Sequence, residues 1–206
     1  MAGPADDRQV VGDVRECNFH RQPHALYGDV GTYRNTIEAD GGKTTVTPDG
    51  NIEVSFLGLV AYRQSINRVE HWNGDQLTSF DGITVENGTT TEVSGALQGD
   101  AFVVRSPRGA VAAPRTIRPA NPWSKDIVGA QAVFTPDEGI VERLRLVAED
   151  NTTVMIADAE VPAQHYEMTR LDNSKHYDVW LRARGTPITF SVANGDDVTT
   201  FTLRSS

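Results

Sequence analysis

The chain has 206 residues, of which 38% are hydrophobic, and a formal net charge of −9. This length suits one all-β domain, and the acidic charge argues against binding to nucleic acid or to an anionic membrane surface. No stretch approaches the ~20 apolar residues of a membrane span, and the single cysteine, Cys17, excludes a disulfide within the chain.

The N-terminal region reads as irregular. Glycine and proline recur through residues 1–24, which predicts an irregular arm followed by a single β-barrel domain over residues 25–206. The first ten residues lack the basic and apolar segments of a secretory signal. The compartment stays open: exported if a signal was trimmed, cytoplasmic otherwise.

From residue 25 onward, apolar and polar residues alternate. Predicted turns interrupt the alternation, among them Pro48-Asp49-Gly50, Asn87-Gly88 and Glu149-Asp150-Asn151. Asn-Gly and Asp-Gly between extended runs are strong hairpin signals, because both residue types tolerate positive φ angles. The pattern predicts about twelve antiparallel strands. They include residues 33–39, 76–85, 90–96, 101–105, 141–148, 152–157, 164–169, 177–183, 188–192 and 198–203.

The longest extended segment covers residues 51–72. It is about twice the length of an ordinary strand and contains no proline. It predicts one long curved strand, or two strands that run on through Gly58. Strands this long are typical of a lipocalin-like barrel or a strongly curved half-barrel, which either fills itself with side chains or encloses a ligand.

One face of this segment mixes aromatic and ionic side chains. Residues of one parity share that face: Tyr62, Gln64, Ile66, Arg68, Glu70 and Trp72. They line a cavity or form a wetted surface with an ion pair between Arg68 and Glu70. In a cavity, Glu70 is the candidate acid-base catalyst, with Tyr62 or Arg68 stabilising developing charge, and Trp72 a ligand contact.

A proline-rich interruption covers residues 106–130. Proline lacks the amide donor that a strand ladder needs, so this segment predicts a long connection with one helical turn at residues 123–127. Long loops in compact domains are often functional. The connection acts either as a lid over a barrel mouth or as a plug against one end of the sheet. Trp123 is the residue predicted to contact a ligand there, or to pack on the sheet end.

Near the C-terminus, residues 176–182 alternate clearly. Tyr177, Val179 and Leu181 share one face, while His176, Asp178, Trp180 and Arg182 share the other. The second face is either exposed or the lining of an amphipathic pocket. In the pocket interpretation, His176, Asp178 and Trp180 contact a ligand, and His176 or Asp178 assists Glu70 from a neighbouring strand.

The order of these motifs resembles an uncharacterised bacterial family known as domain of unknown function 6134. The motifs are Val30 to Arg34, Tyr62-Arg63, Glu70 to Leu77, Glu86-Asn87-Gly88, Asn121-Pro122, Tyr166, Tyr177 to Trp180, and Gly185 onward. They follow one another over most of residues 25–204. The sequence after Asn121-Pro122 departs from the family pattern, and the export signal usual in the family is not visible. The resemblance implies a lipocalin-like or lipoprotein-carrier-like antiparallel β fold, and it implies no established activity.

Function remains divided among three hypotheses. No nucleotide-binding, hydrolase or zinc-binding motif occurs, so we expect neither cofactor nor metal. The leading hypothesis is a non-catalytic module that binds a small apolar or aromatic molecule in the barrel cavity. The alternative is a cofactor-free lyase, isomerase or cyclase on the same scaffold. The third is a solidly packed domain that acts through its surface.

Overall fold

A computed structural model describes residues 11–22, 29–56, 59–121, 127–156, 159–183, 185–195 and 197–203. These residues form fifteen β-strands in one sheet and no α-helix. The strands are β1 (Val11–Gln22), β2 (Asp29–Asp40), β3 (Lys43–Phe56), β4 (Leu59–Asn73), β5 (Gln76–Glu86), β6 (Thr89–Gln98), β7 (Ala101–Ser106), β8 (Gly109–Pro114), β9 (Arg118–Pro119), β10 (Ala132–Phe134), β11 (Val141–Ile156), β12 (Ala159–Arg170), β13 (His176–Leu181), β14 (Pro187–Asn194) and β15 (Asp197–Leu203).

The strand order explains why the sheet curls. Every pair of consecutive strands is hydrogen-bonded except β8 and β9, and β1 also pairs with β15. As a result, β8 and β9 lie at the two ends of the sheet. These two strands are consecutive in the chain, and residues 115–117 alone separate them. So short a connection brings the two ends together only if the sheet curves back on itself. The prediction of an all-β, strongly curved antiparallel sheet is therefore confirmed, although β9 and β10 pair in parallel.

The long segment over residues 51–72 is not one strand. Phe56 pairs with Leu59 and Ile52 with Gln64, in antiparallel register, so the chain reverses between β3 and β4. The prediction of a strand running on through Gly58 is wrong. Gly58 is the sequence signal at this reversal. The prediction did not place a turn there because the alternation of apolar and polar residues keeps the same phase on both sides of it.

Three other boundaries also differ from the sequence prediction. The arm predicted over residues 1–24 contains β1, which pairs with both β2 and β15. The turns predicted around Pro48 and Asp150 lie inside β3 and β11, respectively. Turn-forming residues adopt extended structure there because long neighbouring strands pair across them.

The proline-rich connection also contains more strand than predicted. Residues 109–114 form β8, which pairs with β7. Because β8 is an edge strand and Pro114 is its last residue, no ladder partner needs the missing amide donor. Residues 122–126, including Trp123 and most of the predicted helical turn, lie outside the described residues.

The predicted hairpin at Asn87-Gly88 is confirmed. Asn87 has φ 48° and Gly88 φ 85°, the positive values that a tight two-residue turn requires. The amide of Asn87 donates to the carbonyl of Arg63 at 2.9 Å, and the Asn87 side-chain oxygen accepts from the Arg63 amide, also at 2.9 Å. The turn is thereby tied to β4.

The concave interior contains two hydrophobic clusters. The first joins β2–β4 to β11–β15 and contains Tyr33, Ile66, Tyr177, Phe190 and Phe201. The second joins β4–β8 and is filled by Phe134, whose ring lies 4.9 Å from that of Phe80 and 6.1 Å from that of Phe102. Aromatic rings at these separations fill space efficiently. The second cluster is therefore solidly packed.

The described part of the long connection packs into this interior. Ile117 belongs to the second cluster and Ile127 to the first, and both are 0% exposed. These residues favour the plug interpretation over the lid for the part of the connection that the structure describes.

A candidate ligand-binding cleft

A cleft of about 280 Å³ lies where the two halves of the curved sheet face each other. β2–β4 form one wall, and β13–β15 form the other, with residues of the connecting segments closing the space between them. Its lining is mainly aromatic and aliphatic: Tyr33, Ile52, Tyr62, Ile66, Ala120, Pro136, Tyr177, Phe190, Val192 and Phe201. Polar groups are interspersed: Gln64, Arg68, Thr135, Asp137, Lys175 and Thr199.

Alternation along β4 determines which side chains reach this cleft. Gln64, Ile66, Arg68, Glu70 and Trp72 are buried, whereas the residues between them are exposed or partly exposed. Of the two alternatives for this face, a cavity lining or a wetted surface, the burial excludes the wetted surface. Tyr62, Gln64, Ile66 and Arg68 line the cleft. Glu70 and Trp72 lie farther along the same face and are not among the described lining residues.

Arg68 is the most unusual group in the lining. Its side chain is only 5% exposed, and its Nε has no hydrogen-bond partner among the described residues. Within that part of the chain it also forms no ion pair. A guanidinium group stays protonated in proteins, and a buried charge without a counter-charge is costly. The cleft therefore has a cationic donor that the described protein groups leave unsatisfied.

Glu70 lies farther along the inward face of β4 than Arg68, in a network of hydrogen bonds. Its carboxylate accepts from the indole Nε1 of Trp72 at 3.1 Å and from Nδ2 of Asn121 at 3.0 Å. Asn121 also lies 3.3 Å from Oδ1 of Asn35. The carboxylate is 1% exposed and joins β4 to the connection after β9. The hydrogen bond from Asn121 anchors the connection after β9 to β4.

Trp72 belongs to the packed part of the interior. It is 6% exposed and lies in the second hydrophobic cluster, and the guanidinium of Arg118 lies 5.1 Å from its ring centre. An arginine at that distance over an indole is a cation–π contact. The structure therefore places Trp72 apart from the described cleft lining.

A second buried carboxylate borders the opposite wall. Glu142 is 3% exposed and accepts hydrogen bonds from the phenol of Tyr177 and, at 3.1 Å, from Nζ of Lys175. Burial, followed by the negative charge of Glu142, raises the pKa of Tyr177 far above its usual 10.0. The phenol therefore remains a neutral donor. Sequence analysis missed this pair because the two residues are far apart in the chain and lie on strands separated by β12.

His176, Asp178 and Trp180 lie on the other face of the sheet. Tyr177, Val179 and Leu181 are buried inward, and the alternating residues of β13 are partly exposed outward. The expectation that His176 or Asp178 assists Glu70 from a neighbouring strand is wrong, because the neighbours of β13 are β12 and β14. The structure does not bring these three residues together with the lining of β4.

The outer face of β13 has its own cluster, centred on His165. Its Nδ1 lies 3.0 Å from Asp150, its Nε2 lies 2.8 Å from Asp178, and its ring stacks on Trp180 at 4.6 Å. Burial lowers the pKa of His165, but hydrogen bonds and charge from the two aspartates outweigh this effect, so the net pKa is raised above 6.5. The sequence signal was the alternation itself, since cross-strand partners share a face.

The residues that the structure describes include no helix of the length and apolarity needed to cross a bilayer. They also contain no group of three or more histidine, cysteine or carboxylate side chains arranged to hold a metal ion.

The family model of domain of unknown function 6134 matches residues 28–204. The chain belongs to the DUF6134 family. The resemblance drawn from the motifs is therefore confirmed. No curated protein matches the sequence.

A solved structure has the same fold as this family member. It is described as a β-barrel-like protein of domain of unknown function DUF1849 from Brucella abortus. The two chains are 10% identical, the match covers 95% of this chain and 96% of the other, and the TM-score is 0.64. At this identity the likeness shows the fold alone. The chain thus has a β-barrel-like fold.

Proposed function

We propose that this family member binds a small apolar or aromatic molecule in the cleft between β2–β4 and β13–β15, without catalysing a reaction. The observation that carries the proposal is the cleft itself, whose aromatic and aliphatic lining comes from both halves of the sheet. Ligand sites in proteins are typically concave, mostly apolar and equipped with a few polar groups. This cleft has each of those properties.

The size of the cleft limits the ligand. Its volume of about 280 Å³ lies just under the roughly 300–1,000 Å³ that is usual for small-molecule sites. A fused aromatic ring system or a short acyl chain fits this range better than a large lipid does. The second hydrophobic cluster, which includes Phe80, Phe102 and Phe134, occupies the interior beside β4–β8.

Binding is favoured over catalysis because of where the candidate base lies. A general base must come within hydrogen-bond reach of the proton it removes. The Glu70 carboxylate is buried, is not among the described lining residues, and accepts hydrogen bonds from Trp72 and Asn121. The catalytic roles assigned to Glu70, Tyr62 and Arg68 therefore remain predictions that no geometric observation favours. Tyr62 and Arg68 serve the binding proposal directly as lining residues.

Neutral N-phenyl-1-naphthylamine provides a direct test, because its fluorescence rises when it enters an apolar site. We expect saturable binding to the native protein and loss of binding in Val192→Trp, which fills the cleft. Val147→Trp makes the same substitution at an exposed position on β11 and should bind like the native protein. Failure of the native protein to bind, or equal binding by all three proteins, would contradict the proposal.

A further inference from the structure

We infer that the ligand carries an anionic group, such as a carboxylate or sulfonate, and that Arg68 binds it. This inference rests on the proposed function of the cleft and identifies the chemical class of its occupant. The ligand is then an amphipathic anion, with an aromatic or short aliphatic body against the apolar walls and its charged group at Arg68.

Arg68 is a buried cation with an unsatisfied donor among the described residues. The side chain is more than nine-tenths buried, lines the cleft, and has an Nε without a hydrogen-bond partner among the described residues. Buried polar groups are nearly always hydrogen-bonded. A donor left unsatisfied in a ligand cleft is a position that a ligand acceptor fills.

The two cations of the cleft lining, Lys175 and Arg68, differ in whether a carboxylate pairs with them. Lys175 also lines the cleft, but its Nζ already donates to Glu142 at 3.1 Å. Asp137 carries the lining's negative charge, and it lies in the 136–139 turn on the side of Tyr177 and Lys175. Arg68 projects from β4 in the opposite wall. Among the described lining residues, Arg68 is therefore the cation that no carboxylate pairs with, whereas Lys175 is paired with Glu142.

The guanidinium group of arginine is well suited to binding anionic groups. Its planar guanidinium presents parallel N–H donors that match the two oxygens of a carboxylate or the oxygens of a sulfonate or phosphate. Charge-assisted hydrogen bonds of this type are stronger than neutral ones, particularly where water is partly excluded. A neutral acceptor could satisfy the Nε–H donor, but only an anionic group also supplies a counter-charge to the buried guanidinium.

A matched pair of fluorescent probes tests the inference. 8-Anilinonaphthalene-1-sulfonate is N-phenyl-1-naphthylamine with one added sulfonate, so the two differ by the anionic group. We expect the native protein to bind the sulfonate about tenfold or more tightly than the neutral probe. In Arg68→Met, sulfonate affinity should fall by about 10- to 100-fold, and the preference for the sulfonate over the neutral probe should be lost.

Two further variants control for folding and for surface charge. Arg63→Met removes an outward-facing, 67% exposed arginine from the same strand and should leave the preference intact. If Arg68→Met does not fold, Arg68→Lys replaces it, and a selective weakening of sulfonate binding is expected because lysine lacks the planar fork.

The outcomes separate the two proposals. Equal affinity of the native protein for both probes, or equal losses in Arg68→Met and Arg63→Met, would overturn the inference while leaving the binding function in place. If neither probe binds the native protein, the proposed function itself fails.

Discussion

Trp72 donates its indole N–H to the carboxylate of Glu70, two residues earlier on the same inward face of β4, at 3.1 Å. Asn121 donates to the other carboxylate oxygen at 3.0 Å. A carboxylate with donors on both oxygens, buried to this extent, fixes the position of the chain after β9 relative to β4. Glu70, the candidate acid-base catalyst of the sequence analysis, thus links β4 to the connection after β9.

Replacing Glu70 with glutamine should destabilise the protein. A carboxamide offers one acceptor oxygen where two N–H donors converge, so one donor is left facing an NH₂ group. We expect Glu70→Gln to lower the free energy of unfolding by about 1–3 kcal/mol, measured by urea denaturation. Glu92→Gln, at an exposed position of β6, is the matched control and should change stability little. Equal effects of the two substitutions would show that the buried network contributes nothing specific.

Tyr177 should make the protein less stable at high pH. Burial and Glu142 raise its pKa in the folded state, whereas the unfolded chain titrates near pH 10. Above about pH 10 the unfolded state loses this proton and the folded state keeps it, so stability falls as pH rises. The contribution is fully present below the unfolded pKa.

The test compares native protein and Tyr177→Phe by denaturation between about pH 8 and pH 11. Phenylalanine has no phenolic proton, so the variant should lose less stability over this interval. We also expect it to be less stable at neutral pH by about 1–3 kcal/mol, since Glu142 loses a buried donor. Parallel stability curves for the two proteins would refute the linkage.

His165 should contribute a pH dependence in a lower range. Its folded-state pKa is raised above 6.5 by Asp178 and Asp150, which outweigh the opposite effect of burial. The contribution is therefore full below about pH 6.5 and is lost as pH rises through the folded value. Nuclear magnetic resonance titration of the ring should show the raised pKa, and Asp178→Asn should lower it. If Asp178→Asn left the pKa of His165 unchanged, the contact between His165 and Asp178 would not be a cause of the raised pKa.

Gly95 is predicted to be intolerant of a side chain. A Cβ at this position would lie 2.3 Å from Cε1 and 2.7 Å from Cζ of Phe102, whose ring is 0% exposed. Gly95→Ala should therefore cost about 1–3 kcal/mol through overpacking. Phe102→Leu removes the clashing ring edge, so the double variant should be more stable than the sum of the single effects predicts. If the effects of the two single substitutions on the free energy of unfolding simply add in the double variant, the contact between residues 95 and 102 is not the cause of the destabilisation.

The alternation in the sequence identified which residues of β4 share a face, but it did not identify the strands that lie across the interior from that face. Alternation identifies which residues of a strand point inward, so Tyr62, Ile66 and Arg68 could be assigned to one face. It does not identify the strand across the interior, which is why the wall containing Phe190 and Phe201 was not foreseen. That wall depends on the pairing of β1 with β15.

Local signals were also weaker than tertiary context at several turns. Asn87-Gly88 forms the predicted turn because positive φ angles suit both residues. Asp49-Gly50 has a similar sequence, but it continues β3 because Tyr33 and Arg34 of β2 pair with it. The reversal between Phe56 and Leu59 has Gly58 as a turn-forming residue, but it lacks the Asn or Asp that precedes glycine at hairpins such as Asn87-Gly88. The contact between Glu142 and Tyr177 lies beyond any pattern in a single sequence.

The central claim is that a ligand enters the cleft between the two walls, and isoleucine methyl resonances report on it directly. Ile52 and Ile66 line the cleft, whereas Ile117 lies in the packed second cluster and Ile83 is exposed on β5. Titration with N-phenyl-1-naphthylamine should shift the δ1 methyl signals of Ile52 and Ile66 in a saturable manner and leave those of Ile117 and Ile83 in place. Saturable shifts at Ile83 or Ile117 with Ile52 and Ile66 unmoved would contradict the account.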